Sequence, residues 1–326
     1  MFEQIAPQAM DAFLERFYRE DEEGKAGLVL GEFFWCKAEI FEVVIDAFEQ
    51  TGEERYRILM RHMFDGFLLD EGDEWSHNPF NDDIAWITIG CARAYLLTGE
   101  EDYLGYARHY FEVIWERAYS ADLGGGLFWR IENRSKNACI NGPAAIAACL
   151  LYQSTKEERY LDIAGQIYDW ECRVLLGCDG AVRDNIKITG EVWDRVFTYN
   201  QGTFIGASVL LYQATGEQTC LDNAVLAADY TMNVLAGGNV LTGEAEGGDQ
   251  PGFKGILTRW MAKLAALDGM EKYAGWLLQN ARTAWENRNS RGLVWTNWEK
   301  KTLERDDYSA WGCSAAVALF FSGDQP

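Results

Sequence analysis

Segments that are apolar on nearly all sides alternate along this chain with amphipathic segments. Residues 144–152 (AAIAACLLY) and 204–212 (FIGASVLLY) are of the first kind, and a helix that is apolar all round is a buried one. Residues 160–170 instead carry apolar side chains at helical spacing and a charged opposite face, which is typical of a surface helix. The pattern predicts pairs of helices, one inner and one outer.

The turns between the predicted helices repeat. Each has a threonine, a helix-stopping residue that is usually glycine, and then acidic residues suited to the first turn of the next helix. The copies are residues 51–56, 98–103, 155–160 and 215–220, with a weaker one at 268–273. Counting an opening helix near residues 7–20 and a closing one near 307–321, the spacing predicts about twelve helices stacked as hairpins.

The closing segment decides between an open array and a closed ring. An open solenoid needs polar capping repeats at its ends, whereas residues 310–321 (AWGCSAAVALFF) are as apolar as any inner segment. Closure buries this segment. We therefore expect an all-α fold, an (α/α)6 barrel of six inner and six outer helices, with residues 1–326 forming a single catalytic domain.

Charge and terminal composition restrict the partners. The 326 residues include 51 acidic and 29 basic ones, a net charge of −22, which repels nucleic acids and anionic membrane surfaces. We expect neither as a partner. No apolar stretch of about 20 residues and no leader-like N-terminus is visible. The sequence as given predicts a cytoplasmic protein, or a secreted one if a leader has been removed.

Cysteine and histidine usage indicates neither disulfides nor a metal. Five of the eight cysteines lie within apolar helical runs, where a thiol behaves as a small hydrophobe; they are Cys36, Cys91, Cys139, Cys149 and Cys313. We expect all eight to be free thiols. The three histidines, His62, His77 and His109, are too scattered for a zinc site, so we expect no metal or other cofactor.

The long connections carry the candidate binding residues. Inner helices of a barrel run parallel, so the connections at residues 75–83, 124–141, 179–201, 237–254 and 291–308 should share one end. They are rich in aromatic, amide and acidic side chains, which suits a carbohydrate, because sugar C–H faces pack on rings while hydroxyls bond to polar groups. Taken singly, a tryptophan is more often a packing residue than a sugar platform, and Asp184, Asp306 or Asp307 could in the same way each be a turn or cap residue.

Two adjacent carboxylates, Asp82 and Asp83, begin an apolar helical run and are the candidate catalytic residues. A cluster of Asn81 with two aspartates before a helix is also a common cap, and that reading stays open on local sequence. The catalytic reading is that glycoside hydrolysis needs one ionised and one protonated carboxyl group. Neighbouring helix positions point about 100° apart, so sequence leaves the carboxyl separation undetermined.

At Asp82-Asp83-x-x-Trp86 the chain resembles glycoside hydrolase family 76, the α-1,6-mannanases. Further motifs follow in the same order: Gly125-Gly126-x-x-Trp129, Lys136-Asn137-Ala138-x-x-Asn141, Asp179-Gly180-x-x-x-Asp184 and Thr198-Tyr199-Asn200-Gln201-Gly202. The resemblance covers roughly residues 30–320. It implies an (α/α)6 barrel that hydrolyses α-1,6-mannosidic linkages with retention, with Asp82 as nucleophile and Asp83 as acid/base.

The substrate implied by the resemblance is α-mannan or a manno-oligosaccharide. The residues expected to bind it are Trp75, Trp86, Trp129, Asn137, Asn141, Asp184, Tyr199, Asn200, Gln201, Lys254 and Asp307. Because bacterial members are typically exported and no leader is visible, a short imported mannoside is an alternative to a large mannan.

Three other functions fit such a barrel. A sugar 2-epimerase would use a histidine pair, and of the three histidines only His77 falls in an active-end connection. An unsaturated-uronide hydrolase would need basic residues for its substrate's carboxylate, and that end offers only scattered ones, Lys136, Arg183 and Lys254. A carbohydrate-binding barrel without catalysis would not need Asp82 and Asp83.

Overall fold

The computed structural model describes residues 2–29, 31–237 and 239–322. Twelve α-helices lie in this part of the chain, which confirms the predicted number. They are α1 Phe2–Phe17, α2 Phe34–Thr51, α3 Glu54–Glu71, α4 Asn81–Thr98, α5 Glu101–Ala118, α6 Ala138–Thr155, α7 Glu158–Val174, α8 Thr198–Thr215, α9 Gln218–Tyr230, α10 Phe253–Ala265, α11 Glu271–Glu286 and α12 Ala310–Ser322.

The helices form two compact units. The central unit, Glu74–Thr231, contains the hairpins α4/α5, α6/α7 and α8/α9, with α4, α6 and α8 side by side. The split unit, Met1–Asp73 with Met232–Pro326, contains the pairs α2/α3, α10/α11 and α12/α1, and in it α12 packs against both α2 and α10. The expectation of a single domain stays a prediction.

The predicted alternation of buried and amphipathic helices is confirmed. Helix α6 is buried from Ala138 to Leu151, and α12 is buried along its whole length. The amphipathic helices bury only one stripe of side chains, as in α7 and α11. The apolar closing helix is thus covered by neighbours within its own unit.

The repeated turns owe their form to the stop residue and the threonine. Gly52, Gly99 and Gly216 end their helices with φ of 65°, 71° and 73°, the left-handed region that glycine enters without strain. Lys156 takes the same conformation with φ 60°.

The threonine of each turn makes two hydrogen bonds. In the first copy the Thr51 hydroxyl donates to the carbonyl of Ala47 (2.7 Å) and accepts from the Glu53 N–H (3.2 Å). The same pair of bonds recurs at Thr98, Thr155 and Thr215. The hydroxyl thus links the last turn of one helix to the start of the next, which explains why threonine recurs.

The predicted end of the opening helix was wrong. Helix α1 covers Phe2–Phe17 rather than residues 7–20, and residues 18–20 form a strand, β1 Tyr18–Glu20, paired antiparallel with β2 Gly27–Val29. Residues 18–20 are a strand because they pair with β2, and their own sequence would also fit a further turn of helix. The closing helix begins at Ala310, three residues later than predicted.

A three-stranded antiparallel sheet lies in connections that were predicted to be loops. Strand β3 Ser135–Asn137 pairs with β4 Arg183–Lys187, and β4 pairs with β5 Val192–Val196. Asn137 stands opposite Asn185 in this register. The sheet joins the connection before α6 to the connection before α8.

The connection before α4 meets the same region of the central unit. The Asn81 N–H donates to the carbonyl of Trp129 (2.9 Å), and Phe80 forms an isolated antiparallel bridge with Arg130. The predicted shared end is therefore confirmed for the three long connections of this unit. Among the described helices none has the length and apolar character that a bilayer crossing requires.

Six of the eight cysteines are buried, among them all five that the sequence placed in apolar helices, and none is bonded to another. We expect thiol titration of freshly purified protein, denatured without reductant, to find eight thiols, because burial shields most of them from oxidants. Cys178 is exposed and serves as the internal reference, since it should react before denaturation. A count of six or fewer would contradict the prediction.

Helix α7 holds a buried carboxyl group that has no ion pair. Glu171 is fully buried, and neither side-chain oxygen has a hydrogen-bond partner among the described residues. Burial raises its pKa well above the ordinary value. The folded protein therefore keeps a proton on Glu171 that the unfolded chain releases above about pH 4.3.

Replacing Glu171 should make stability less sensitive to pH. Each pH unit between the unfolded and folded pKa costs about 1.4 kcal/mol of unfolding free energy, so Glu171→Met should gain stability over wild type as pH rises. Urea unfolding at pH 5, 6, 7 and 8 measures this, with the exposed Glu116→Gln as control. Parallel curves for wild type and Glu171→Met would contradict it.

Candidate functional site

The two adjacent carboxylates lie in the first turn of α4. Phe80 stands at the cap position and makes no side-chain cap bond. Asn81 is buried and faces away from the helix amides: its Nδ2 donates to the carbonyl of Phe128 (2.8 Å) and its Oδ1 accepts from Arg117 Nε (2.6 Å). Asn81 therefore attaches the helix start to the α5–α6 connection rather than capping it. Asp82 and Asp83 follow, where the helix dipole favours negative charge.

Asp83 is held by the connection that precedes α4. Its Oδ2 accepts a hydrogen bond from Asn78 Nδ2 (3.0 Å). Asn78 is itself fixed, because its Oδ1 accepts from the Phe80 N–H (2.9 Å) and its carbonyl accepts from Arg117 Nη2 (2.9 Å). The Asp83 carboxyl group is half-buried, and the Asn78 side chain that bonds to it is a neutral amide.

Asp82 lies deeper in the protein. Its residue surface is partly exposed, but its Oδ1 is buried and has no hydrogen-bond partner among the described residues. Burial and the charge of Asp83 raise the pKa of Asp82 well above its ordinary value, and the nearby Cys139 thiol and Trp129 indole oppose this only in part. Both causes favour the protonated form of Asp82 in the free protein.

The repeat brings equivalent helix positions together around Asp82. Asp82, Cys139 and Tyr199 are the second residues of α4, α6 and α8, the three adjacent buried helices of the central unit. Burial raises the pKa of both Cys139 and Tyr199, and the charges of Asp82 and Asp184 act in the same direction. One recurring position thus supplies three chemically different groups to one site.

Strand β4 brings a third carboxylate into this cluster. Asp184 is buried, and its two oxygens accept from Asn200 Nδ2 (3.0 Å) and Asn185 Nδ2 (2.7 Å). Burial raises the pKa of Asp184, while the two amides and the charge of Arg195 lower it. The β3–β4–β5 sheet, absent from the sequence expectation, is what places Asp184 there.

Three buried polar atoms of this region lack a partner among the described residues: Asp82 Oδ1, Trp129 Nε1 and Asn200 Oδ1. Native proteins leave few buried polar atoms without a partner, and each such atom calls for an explanation. One donor and two acceptors at neighbouring positions match the hydroxyl groups of a sugar. Trp129 and Tyr199 are half-buried and can offer ring surface as well.

Asn141 and Gln201 are placed differently from the prediction that they bind substrate. Each is fully buried at the fourth position of its helix, α6 or α8, and bonds to the backbone of the preceding connection. Asn141 bonds to the N–H and the carbonyl of Leu127. Gln201 Nε2 donates to the carbonyls of Gly180 and Ala227 (3.0 Å each), and its Oε1 accepts from the Val182 N–H (2.5 Å). Both amides hold loops in place.

Gln201→Ala should therefore lower stability as well as activity. The change removes the side-chain partner of the Gly180 carbonyl and the Val182 N–H, at roughly 1–3 kcal/mol each before relaxation, whereas the Ala227 carbonyl keeps its bond from Thr231 Oγ1. We therefore expect a loss of about 3 kcal/mol in unfolding free energy. Urea denaturation measures it. Gln213→Ala, at an exposed position of the same helix, is the control and should be near neutral. A Gln201→Ala protein of wild-type stability with impaired substrate binding would show that Gln201 contacts the sugar instead.

Three other predicted binding residues are also engaged with the protein. Trp75 is fully buried and stacks on Tyr110 with centroids 4.3 Å apart. Trp86 is buried behind Tyr199, at 6.4 Å between ring centroids. Asn137 is nearly buried, and its Oδ1 accepts from Ser135 Oγ (2.7 Å). These side chains support the site from behind.

Lys254 and Asp307 belong to the split unit. Lys254 is fully buried, and its Nζ donates to the carbonyls of Thr296 and Thr242 and lies 3.9 Å from the centroid of the Trp298 ring. Burial lowers its pKa to about 7. Lys254 thus joins two connections of the split unit, whereas Gln201 joins one connection of the central unit to α9. Asp307 is 76% exposed and pairs with Arg305 (3.0 Å).

Cys139 is the residue that sequence reasoning missed. It was interpreted as a core thiol, which its burial confirms, but it also lies beside Asp82. Its position in the repeat, second in its helix as Asp82 is in α4, was the available signal.

Among the described residues no group of three histidine, cysteine or acidic side chains could hold a metal ion. His62 and His109 lie on α3 and α5, as predicted.

Comparison with known proteins identifies relatives over the whole chain. The sequence model of glycosyl hydrolase family 76 matches residues 2–320. The GH76A α-1,6-mannanase from Salegentibacter sp. HEL1_6 is 34% identical, with 99% of each chain covered and a TM-score of 0.89. Such enzymes have an (α/α)6 barrel, which confirms the predicted fold class.

A variant of the same Salegentibacter enzyme, with two adjacent aspartates replaced by asparagine, is described as inactive and was solved in complex with α-1,6-mannotriose. Two Saccharomyces cerevisiae proteins, the mannan endo-1,6-α-mannosidases DFG5 and DCW1, are each 26% identical, over 59% and 61% of this chain. The chain spans about half the length of these curated relatives, 47% and 49%.

Proposed function

The chain belongs to glycoside hydrolase family 76, and from this premise we propose that it hydrolyses α-1,6-mannosidic linkages of α-mannan or manno-oligosaccharides with Asp82 and Asp83. The observation that carries the proposal is the pair itself, half-buried in the first turn of α4, where Asp82 Oδ1 and two neighbouring polar atoms lack a partner among the described residues. A relative with two adjacent aspartates replaced is inactive and binds α-1,6-mannotriose.

The chain contains a second pair of adjacent aspartates, Asp306 and Asp307, and the structure distinguishes the two. Asp306 is 86% exposed and pairs with Arg291 (2.7 Å), and Asp307 is 76% exposed and pairs with Arg305. The hydrogen bond from Arg291 lowers the pKa of Asp306. Only the pair at 82 and 83 combines burial, a raised pKa and nearby groups suited to a sugar.

The proposed mechanism has two steps and retains configuration. In the first, Asp82 attacks the anomeric carbon and forms a glycosyl-enzyme ester, while Asp83 gives its proton to the departing glycosidic oxygen. In the second, Asp83 takes a proton from water, whose oxygen attacks the anomeric carbon and releases Asp82. The product is a mannose of unchanged anomeric configuration, and Asp83 is protonated again. These roles follow the family resemblance.

The site residues can bind the sugar as follows. Trp129 and Tyr199 offer ring surface to the C–H faces, and Trp129 Nε1 and Asn200 Oδ1 offer a donor and an acceptor to hydroxyls. Asp184 orients Asn200 through the bond at 3.0 Å. Asn141 and Gln201 keep the two connections in place.

The electrostatics of the free protein set a condition on this mechanism. The proposed roles require an ionised Asp82, whereas burial favours the proton on Asp82. Two interacting carboxyls titrate as one coupled system, so the proton passes to Asp83 when bound substrate gives Asp82 Oδ1 a hydrogen-bond donor. Sugar hydroxyls supply such donors. The expectation of a cytoplasmic protein that acts on short mannosides stays a prediction.

Hydrolysis of defined substrates tests the proposal. We expect cleavage of α-1,6-mannotriose and α-1,6-mannan but not of α-1,2- or α-1,3-mannobiose, with the α-anomer appearing first by proton NMR. Isothermal titration with α-1,6-mannobiose, run beside the assay, separates binding from catalysis. Binding without cleavage would instead identify a carbohydrate-binding barrel. Release of the β-anomer first would show that the enzyme inverts the configuration.

A further inference from the structure

A pocket lies in the α5–α6 connection, the segment that also supplies Trp129 to the surroundings of Asp82. It has a volume of about 250 Å³ and is lined by Trp129, Arg130, Glu132, Arg134 and Ser135. Trp129 belongs both to this pocket and to the surroundings of Asp82. Because the Asn81 N–H bonds to the Trp129 carbonyl (2.9 Å), the pocket is fixed to the first turn of α4.

The pocket is positively charged, although the chain as a whole carries −22. Its lining contains two guanidinium groups and one carboxylate. Arg130 pairs with Glu132 (3.0 Å) and lies over the Phe80 ring, 4.4 Å from its centroid. Arg134 is exposed and has no carboxylate partner among the described residues. One positive charge is therefore left without compensation.

Hydrogen-bond donors also outnumber acceptors here. Arg130 Nε is buried without a partner among the described residues, and the Arg134 side chain is exposed. The carboxylate of Glu132 is occupied by Arg130. The hydroxyls of a neutral sugar both donate and accept and need a mixed lining, whereas paired guanidinium donors match the oxygens of an anion.

We propose that this pocket binds an oxyanion substituent, a phosphate ester or a carboxylate, on the mannoside residue next to the bond that is cleaved. The proposal rests on the function proposed above and adds a preference for acidic over neutral substrates. Arg134 supplies the uncompensated charge, Arg130 the donor fixed by Phe80 and Glu132, and Trp129 the ring against which the sugar packs. The negative charge of the rest of the protein repels anions, so the attraction depends on these two arginines.

The test compares three α-1,6-mannobiosides: neutral, 6-phosphorylated at the non-reducing mannose, and oxidised there to the uronate. We expect kcat/KM to be about tenfold higher for at least one acidic substrate, the factor that one charge-assisted hydrogen bond provides. Whether phosphate or uronate is preferred identifies the substituent. Arg134→Gln should remove the preference. Arg108→Gln, which removes an exposed arginine of the same unit paired with Glu157, should keep it. The wild-type preference should fall at 0.5 M salt.

Failure of this inference can be told from failure of the proposed function. Hydrolysis of the neutral mannobioside without any acidic preference, or with a preference that Arg134→Gln leaves intact, would overturn the inference and leave the function standing. If neither the mannobiosides nor α-1,6-mannotriose is hydrolysed, the proposed function is wrong, and titration with mannose 6-phosphate, mannuronate and mannose then tests whether the pocket binds an oxyanion. Binding of either acidic sugar that is tighter than mannose and lost in Arg134→Gln supports the pocket, and equal binding refutes it.

Discussion

Asp82→Asn and Asp83→Asn are each expected to lower kcat/KM on α-1,6-mannosides by about 10⁴-fold. An amide at position 82 cannot form the glycosyl ester, and an amide at position 83 can neither deliver the proton nor activate water. Reducing-sugar release from α-1,6-mannotriose measures the loss. Near-wild-type turnover in either variant would refute the catalytic assignment.

Both variants should remain folded, and Asp82→Asn should gain stability at neutral pH. A carboxyl group whose folded pKa is raised keeps its proton in the folded state, so its penalty grows as pH rises above the unfolded value of about 3.9. Asparagine cannot ionise, so the melting temperature of Asp82→Asn should exceed that of wild type more at pH 8 than at pH 5. Asp306→Asn, in the exposed pair, is the control and should change neither activity nor this pH dependence.

Asp83→Ala should retain the first chemical step on an aryl mannoside with a good leaving group, because such a group departs without a proton. Added azide should then accelerate turnover by replacing base-activated water, giving an α-mannosyl azide. Asp82→Ala should show neither behaviour, because no glycosyl-enzyme can form. Burst kinetics and NMR of the azide product measure this.

The opposite result would exchange the two roles. If azide rescues Asp82→Ala and yields the α-azide, while Asp83→Ala forms no glycosyl-enzyme with any leaving group, then Asp83 is the nucleophile and Asp82 the acid/base. The raised pKa of Asp82 in the free protein makes this comparison decisive, because a group that keeps its proton is suited to act as an acid.

The same coupling should appear in the pH dependence of the wild-type enzyme. Activity requires one proton on the pair, so kcat/KM should fall at low pH, where both are protonated, and at high pH, where both are ionised. Because the Asp83 charge raises the pKa of Asp82, that pKa should fall toward its ordinary value in Asp83→Asn. Carbon-13 NMR of the Asp82 carboxyl measures the shift.

The elements of the fold could be predicted from the sequence because their signals are local. The apolar runs, the amphipathic runs and the Thr-Gly turns each act within one or two helices, and the twelve helices, the burial of α6 and α12 and the left-handed stop residues follow from them. The position of Asp82 and Asp83 in the first turn of a buried helix could be predicted for the same reason.

The roles of the polar side chains depended on partners far along the chain, and only the tertiary structure decided them. Gln201 and Lys254 read as sugar ligands in sequence, yet their polar atoms bond to backbone groups of connections that fold back over their helices. Strands of three to five residues show no period of their own, so the sheet that carries Asp184 could not be predicted. The raised pKa of Asp82 comes first from its burial and then from the charge of Asp83, against the action of the Cys139 thiol and the Trp129 indole. Burial depends on the groups packed around a carboxyl in space and not on its neighbours in sequence alone.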